Sequence, residues 1–96
     1  MSLTVVVRMK AKPDEEKRLG AELAALVPPT VAEPGCLSYR PYVDPDDPSA
    51  WILVEEWTDP DAFDRHLQTP HLAHTLEVFE HILAEPLSLR RFTEVV

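Results

Sequence analysis

Residues 54–74 read V-E-E-W-T-D-P-D-A-F-D-R-H-L-Q-T-P-H-L-A-H, and this stretch decides the fold. Its pattern predicts the end of a strand, a short helix, a tight break and the start of a longer helix. Asp59 can cap the short helix, and Pro60 suits its first position. Thr69 and Pro70 form the same pair, a capping residue followed by proline, at the start of the second helix. The stretch also groups an indole, a phenyl ring and three imidazoles, those of Trp57, Phe63, His66, His71 and His74. We therefore expect the functional site to lie here.

The segments around this stretch give the order strand, helix, strand, strand, helix pair, strand. Residues 3–10 predict a strand, because the β-branched run T-V-V-V is followed by alternation. A helix is expected to open at Pro13 and Asp14. Pro28 and Pro29 should kink or end it, because neither can donate a backbone hydrogen bond. A last partial turn through Val31 is the alternative. Glu33, Pro34 and Gly35 indicate a turn after this helix. The remaining strands are predicted at 36–43, 51–57 and 87–92.

Two apolar stripes at helical spacing place the helices against one core. The stripe of the first helix consists of Leu19, Leu23, Leu26 and Val27. That of the last helix consists of Leu72, Leu76, Phe79 and Leu83. The element order predicts an α+β fold, the ferredoxin-like split β-α-β sandwich, as a single domain of residues 1–96. Its antiparallel sheet would carry helices on one face only. The other face is also apolar, so a homodimer is expected.

Composition excludes several classes of partner. The formal net charge of −8 argues against nucleic acid and against anionic membrane surfaces, since both attract basic proteins. No apolar run approaches the ~20 residues of a membrane-spanning helix, and the N-terminal apolar run is too short for a signal peptide. The single cysteine, Cys36, allows no intramolecular disulfide and no multi-cysteine metal site. We expect a cytoplasmic protein.

Three motifs resemble those of the antibiotic biosynthesis monooxygenase (ABM) family, small dimeric α+β barrel proteins that include quinol monooxygenases. They are E-P-G-C-L-S-Y at 33–39, V-E-E-W at 54–57 and A-F-D-R-H-L-Q-T-P-H-L at 62–72. With the element order, the resemblance covers essentially the whole chain. It implies oxidation of a quinol or anthrone by O2 in a cavity between sheet and helices. It also implies that no flavin, metal or other cofactor takes part.

A haem-degrading branch of the same superfamily fits the residues poorly. That branch is described as using an asparagine on the first strand, a tryptophan in the helical segment and a histidine as iron ligand. Aligned on V-E-E-W, the tryptophan position is His66 here, and the ligand position falls near Leu76. The chain contains no asparagine. Haem degradation is therefore disfavoured.

His71 is the predicted acid–base group, and His66 is a second catalytic candidate. At a helix start the dipole disfavours the imidazolium, so the ring of His71 should be neutral near pH 7. A neutral imidazole can accept the proton of a phenol, which prepares a quinol to reduce oxygen. The alternative is a histidine that caps or fills the break between the helices.

The predicted substrate surface is mainly aromatic. Trp57, also counted as catalytic, would stack on a flat ring, although a core tryptophan is the alternative. The residues expected to contact substrate are Trp57, Phe63, Tyr39, His74 and Phe79. Glu55 shares the strand face of Trp57 and should need a cationic partner. The candidates are Arg40, Arg90 and Arg91.

No metal site is expected, because His71 and His74 are spaced i, i+3 with no obvious third ligand. The leading hypothesis is a cofactor-independent monooxygenase that oxidises a small aromatic quinol or anthrone. The alternative is a non-catalytic small-molecule-binding or interaction domain, and a third reading is isomerase or lactonase chemistry. An open pocket of ~300 Å³ with convergent imidazoles would favour catalysis. A dry, closed core around Trp57 and His71 would favour the binding domain.

Overall fold

The computed structural model describes residues 2–96, and its elements follow the predicted order. They are β1 Leu3–Lys10, α1 Glu16–Val31, β2 Cys36–Asp44, β3 Asp47–Trp57, α2 Pro60–His66, α3 Pro70–Ile82 and β4 Ser88–Phe92. The strands form one sheet in the order β2-β3-β1-β4, and each neighbouring pair is antiparallel. This confirms the ferredoxin-like α+β fold.

Strand β1 lies inside the sheet and supplies one wall of the core. It pairs with β3 on one side and β4 on the other. Alternation puts every second side chain under the helices, where Leu3, Val5, Val7 and Met9 are buried. Helix α1 packs Leu19, Leu23 and Leu26 on them, as predicted, while Val27 is half-buried at the edge.

Helix α1 differs from the prediction at its start, and at its end it includes the last turn that the sequence left open. It begins at Glu16 rather than at Pro13, because Asp14 has a φ of 71°, a left-handed conformation that a helix cannot continue through. It also runs through Pro28 and Pro29 to Val31. The carbonyls that these prolines leave unbonded belong to the exposed turn at 24–25, where water can satisfy them.

Two local shifts decide which side chains face the core. An irregularity between Cys36 and Ser38 in β2 turns Leu37 outward. Strict alternation of side chains would have placed Leu37 on the same face of the strand as Tyr39. Tyr39 faces the core, and Tyr42 faces the opposite side of the sheet. In α3 the fully buried positions are Leu72, Thr75, Phe79 and Ile82. The predicted stripe was therefore right for Leu72 and Phe79, whereas Leu76 is exposed and Leu83 half-buried.

The sheet face opposite the helices carries no covering element within residues 2–96. Apolar side chains on this bare face are Val6, Tyr42, Ile52, Val54 and Phe92. Strand β4 is exposed along its whole length. None of the helices described between residues 2 and 96 is long and apolar enough to cross a membrane.

Candidate functional site

One carboxylate oxygen joins two of the predicted histidines. Glu33 lies in the loop between α1 and β2, His66 ends α2, and His71 is in the first turn of α3. Oε2 of Glu33 lies 2.8 Å from Nδ1 of His66 and 2.8 Å from Nε2 of His71. Because a carboxylate accepts and an imidazole N–H donates, each ring directs one N–H at this oxygen. The cluster therefore holds three separate chain segments together.

Turn and cap chemistry brings these segments to one place. The loop of Glu33 turns at Gly35, whose φ is 88°, and the Gly35 carbonyl accepts from the N–H of Thr58, 2.8 Å away. Asp59 caps α2 by accepting from the N–H of Ala62 at 2.8 Å, as the sequence predicted. Thr69 caps α3, and its hydroxyl donates to the carbonyl of His66 at 2.8 Å. The break between the helices is thus tied directly to the residue that ends α2.

Aromatic rings surround the buried imidazole of His66. Its ring centroid is 4.8 Å from that of Trp57 and 5.6 Å from that of Tyr39. Phe63 lies 6.2 Å away on the same helix. Trp57 is completely buried, and its Nε1–H donates to Oε1 of Glu55 at 3.0 Å. Glu33, His66, Trp57 and Glu55 therefore form one continuous cluster.

Glu55 is not paired with an arginine, so that prediction is wrong. Arg40 pairs in register with Val54, and Arg90 with Val6, which puts both on the bare face. Arg91 does reach the core side, but its guanidinium lies over the ring of Phe63, 5.9 Å from the centroid. The carboxyl group of Glu55, 2% exposed, instead accepts from Trp57.

Burial sets the protonation of the cluster. It raises the pKa of Glu55 to about 7, a shift that the bond from Trp57 opposes and the charge of Glu33 increases. It lowers the pKa of His66, while contact with Glu33 acts in the opposite direction. Burial and the two carboxylates also raise the pKa of Tyr39. Near neutral pH the site thus favours a neutral imidazole, a neutral phenol and a carboxyl that can be protonated.

Cys36 is inert in this environment. Burial and the nearby charges of Glu33 and Glu55 raise the pKa of its thiol to about 11. Because the thiolate is the nucleophile, a thiol with so high a pKa is a poor one.

A cavity of about 170 Å³ lies between the sheet and the helices. Its wall is mostly leucine, and its polar groups are those of Tyr39, Glu55 and His66. The lining leucines Leu67, Leu76 and Leu89 are exposed and mark the opening. The site is therefore neither a closed dry core nor the larger pocket with several imidazoles described above.

Two wider grooves of about 520 Å³ each lie on the surface. One includes Arg8 and Tyr42 at the bare face, and the other runs beside α3 near Leu87. Neither has a histidine among its lining residues in the described chain. We therefore place the candidate site in the smaller cavity.

The structure brings four of the predicted site residues to the cavity wall and leaves three outside it. Those in the wall are Tyr39, Phe63, His66 and Phe79. Trp57 lies behind His66 and Glu55 and supports both. His71 reaches Glu33 from the solvent side, and His74 is exposed on α3.

Glu33 was missed by sequence reasoning. It lies in the E-P-G-C-L-S-Y motif, where it was read only as part of a turn. The sequence feature that could have identified Glu33 is a carboxylate directly before the turn that leads into a core strand. The third ligand-type group near His71 is therefore Glu33, and its second imidazole is His66 rather than His74.

Acid–base groups in the wall of an apolar cavity make this the candidate small-molecule site of a ferredoxin-like domain. The chain belongs to the antibiotic biosynthesis monooxygenase family, whose model matches residues 2–78. The resemblance seen in the sequence is thus confirmed. The chain is similar to the probable quinol monooxygenase YgiN of Escherichia coli K12, with 30% identity over 80 residues, 73% of this chain and 77% of YgiN.

Other proteins are similar to this chain over most of its length. Protein sll1783 of Synechocystis is 31% identical over 88 residues. The aligned region covers 92% of this chain but only 60% of sll1783. The solved structure of Rv0793 from Mycobacterium tuberculosis is 28% identical, with a TM-score of 0.94 over 100% of this chain and 97% of that one. That of PA3566 from Pseudomonas aeruginosa is 30% identical, with a TM-score of 0.92 over 99% and 95%.

Replacement of Glu55 by glutamine should remove one source of pH dependence from stability. The pKa of Glu55 in the folded chain, about 7, lies above its ordinary 4.5, so the folded state keeps a proton that the unfolded state releases. The resulting stabilisation is complete below pH 4.5 and is lost as the pH rises through 7. Relative to Glu55→Gln, the wild type should lose roughly 2–3 kcal/mol of unfolding free energy between about pH 5 and about pH 8.

Urea unfolding of both proteins across this range measures the effect. His66 acts in the opposite direction, because its lowered pKa removes stability as the pH falls, but it is present in both proteins and cancels in the difference. A difference that stays constant with pH would contradict the assignment of a protonated Glu55.

Proposed function

We propose that the protein is a cofactor-independent monooxygenase that oxidises a small aromatic quinol with O2. The observation that carries the proposal is the position of His66, in the cavity wall with its Nδ1–H held by Glu33. Family membership supports the reaction class. The described geometry supports the choice of base and the size of substrate.

The base in this proposal is Nε2 of His66 rather than any atom of His71. When Nδ1 of a neutral imidazole carries the proton, Nε2 is the nitrogen with a free lone pair. Burial lowers the pKa of His66, so the neutral form is available near pH 7. His71 binds the same carboxylate oxygen from outside and helps to position it.

The reaction balances without an added reductant. Nε2 of His66 takes a phenolic proton, and the phenolate passes one electron to O2 to give a semiquinone and superoxide. These radicals combine at a ring carbon, and the protonated His66 returns its proton to give a hydroperoxide. Loss of the hydrogen on that carbon, with cleavage of the O–O bond, releases water and leaves a carbonyl. The substrate supplies all the electrons, and one oxygen atom enters the product.

Glu55 offers a second polar contact in the same cavity. With a pKa of about 7 it can hold a proton at neutral pH, and its other partner is the N–H of Trp57. A protonated carboxyl can donate a hydrogen bond to a substrate oxygen or to the peroxide. Two titratable groups whose surroundings shift their pKa values in opposite ways suit separate acid and base roles.

The cavity volume favours a single-ring substrate. A cavity of about 150 Å³ is known to accommodate benzene, and this one measures about 170 Å³. A hydroquinone-sized molecule fits that space, whereas a three-ring anthrone exceeds it. The proposal therefore narrows the substrate class to small quinols.

Oxygen uptake by chelator-treated protein with substituted hydroquinones tests this function. His66→Ala should lower the rate by about 10²-fold or more, the usual contribution of a general base. Glu33→Gln should lower it less, because an amide oxygen still accepts one N–H but leaves the imidazole less basic. His74→Ala is the matched control, since His74 is exposed on α3, and it should retain the wild-type rate.

Uptake that is equal in wild type and His66→Ala would rule out this base. Tight binding of hydroquinones without any uptake would instead favour the non-catalytic binding domain, which the small and mostly apolar cavity also suits.

The bare sheet face supports assembly as a homodimer. Val6, Ile52 and Val54 lie side by side on adjacent strands, with Tyr42 and Phe92 beyond them. No element within residues 2–96 covers these side chains. A second copy packed on this face would remove them from water.

A charge placed at the centre of this face should separate the copies. Light scattering should give twice the chain mass for the wild type and close to one chain mass for Val54→Lys. Ala24→Lys, on the exposed side of α1, should remain a dimer. A monomeric wild type, or a Val54→Lys variant that stays dimeric, would contradict the proposal.

A further inference from the structure

We propose that Glu33, His66 and His71 form a binding site for a divalent transition-metal ion such as Zn²⁺. Their ligand atoms, Oε2, Nδ1 and Nε2, lie within 4.8 Å of one another. Two imidazole nitrogens and one carboxylate oxygen form a ligand set that zinc uses in proteins, with a fourth position left for water. Neither the expected oxygenase chemistry nor any of the relatives described above assigns this role to the cluster.

The existing distances need only a small adjustment to admit the ion. With zinc bonds of about 2.0–2.2 Å, two ligand atoms in a tetrahedral arrangement lie about 3.3 Å apart. The two nitrogens are now each 2.8 Å from the Glu33 oxygen. Binding would lengthen these two distances by about half an ångström and displace the two bridging protons. The two imidazole nitrogens, which lie no more than 4.8 Å apart, would have to come to a similar separation by rotation of the side chains.

The charge around the cluster favours a cation. Within residues 2–96, the two imidazoles are the only groups that form salt bridges with Glu33. The charge of Glu33 also acts unfavourably on the buried Glu55 nearby. With neutral imidazoles the three ligands carry one negative charge, which no lysine or arginine of the described chain neutralises at contact distance. A divalent ion would supply that charge.

The cluster is open to solvent on one side and rigid on the other. The side chain of His71 is 25% exposed, that of Glu33 12% and that of His66 2%. An ion can thus reach the carboxylate past His71 without crossing the cavity. The ring of His66 is held by Trp57, and Thr69 fixes the break between the helices. The two histidine ligands would therefore lose little conformational freedom when the ion binds.

Metal binding would also act on the proposed reaction. A neutral imidazole bound through Nδ1 carries its proton on Nε2, so His66 could no longer accept a proton from a phenol. Zn²⁺ should therefore inhibit the oxygenase. This consequence depends on the proposed function, whereas the metal site itself does not.

Calorimetric titration of the chelator-stripped, full-length protein with ZnCl₂ tests the site directly. The expected result is one ion per chain for the wild type. His71→Ala and Glu33→Gln each remove a ligand, so each should weaken binding by at least the roughly 100-fold that loss of a supporting partner costs. His74→Ala, which removes an exposed histidine from the same helix, should bind like the wild type.

Circular dichroism spectra establish that each variant is folded before it is titrated. Absence of binding to the wild type would overturn the proposal, as would an affinity unchanged in both His71→Ala and Glu33→Gln. An equal loss in His74→Ala would assign the ion to surface histidines and overturn it as well. The titration contains no quinol and is independent of the oxygen-uptake assay. Zinc binding by the wild type, together with no oxygen uptake by the chelator-treated, metal-free protein, would refute the proposed function and leave the metal site standing.

Discussion

The two hydrogen bonds to a single oxygen of Glu33 are the contacts on which the site depends. They join the loop before β2, the end of α2 and the start of α3, segments that are far apart in the sequence. They also determine which nitrogen of His66 carries its proton. The neighbouring structure supports this arrangement, because Thr69 connects the two helices and Trp57 packs against the ring of His66. Loss of the carboxylate would leave both imidazole N–H groups without their partner.

A second constraint is the burial of acidic groups without basic ones. Glu33 accepts two N–H groups, whereas Glu55 accepts one from Trp57 and is surrounded by apolar wall. The two carboxyl groups therefore differ in their surroundings, although both belong to the cluster that contains His66 and Trp57. Such a difference allows one to orient a base while the other holds a proton. The same lack of basic neighbours supports the proposed binding of a divalent cation at Glu33.

The sequence predicted the fold well because its signals are local. The valines of β1, the Asp59 and Thr69 caps and the apolar spacing of the helices each act within a few residues. The sequence left open whether α1 continues through Pro28 and Pro29, because solvation of the freed carbonyls depends on the exposure of one particular turn. The sequence also could not show that His66, rather than His71, lies in the cavity wall. Which imidazole faces the cavity depends on the angle between α2 and α3, and that angle is set by packing. Glu33 was read only as a turn residue because its partners lie 33 and 38 positions away.

The protonation state of His66 tests this account most directly. Long-range proton–nitrogen NMR spectra of the histidine rings distinguish the two neutral tautomers and the imidazolium. Near pH 7 the account predicts a neutral ring with its proton on Nδ1 and none on Nε2, and Glu33→Gln should weaken that preference. A proton on Nε2, or a ring that is charged at pH 7, would contradict the assignment of His66 as the base.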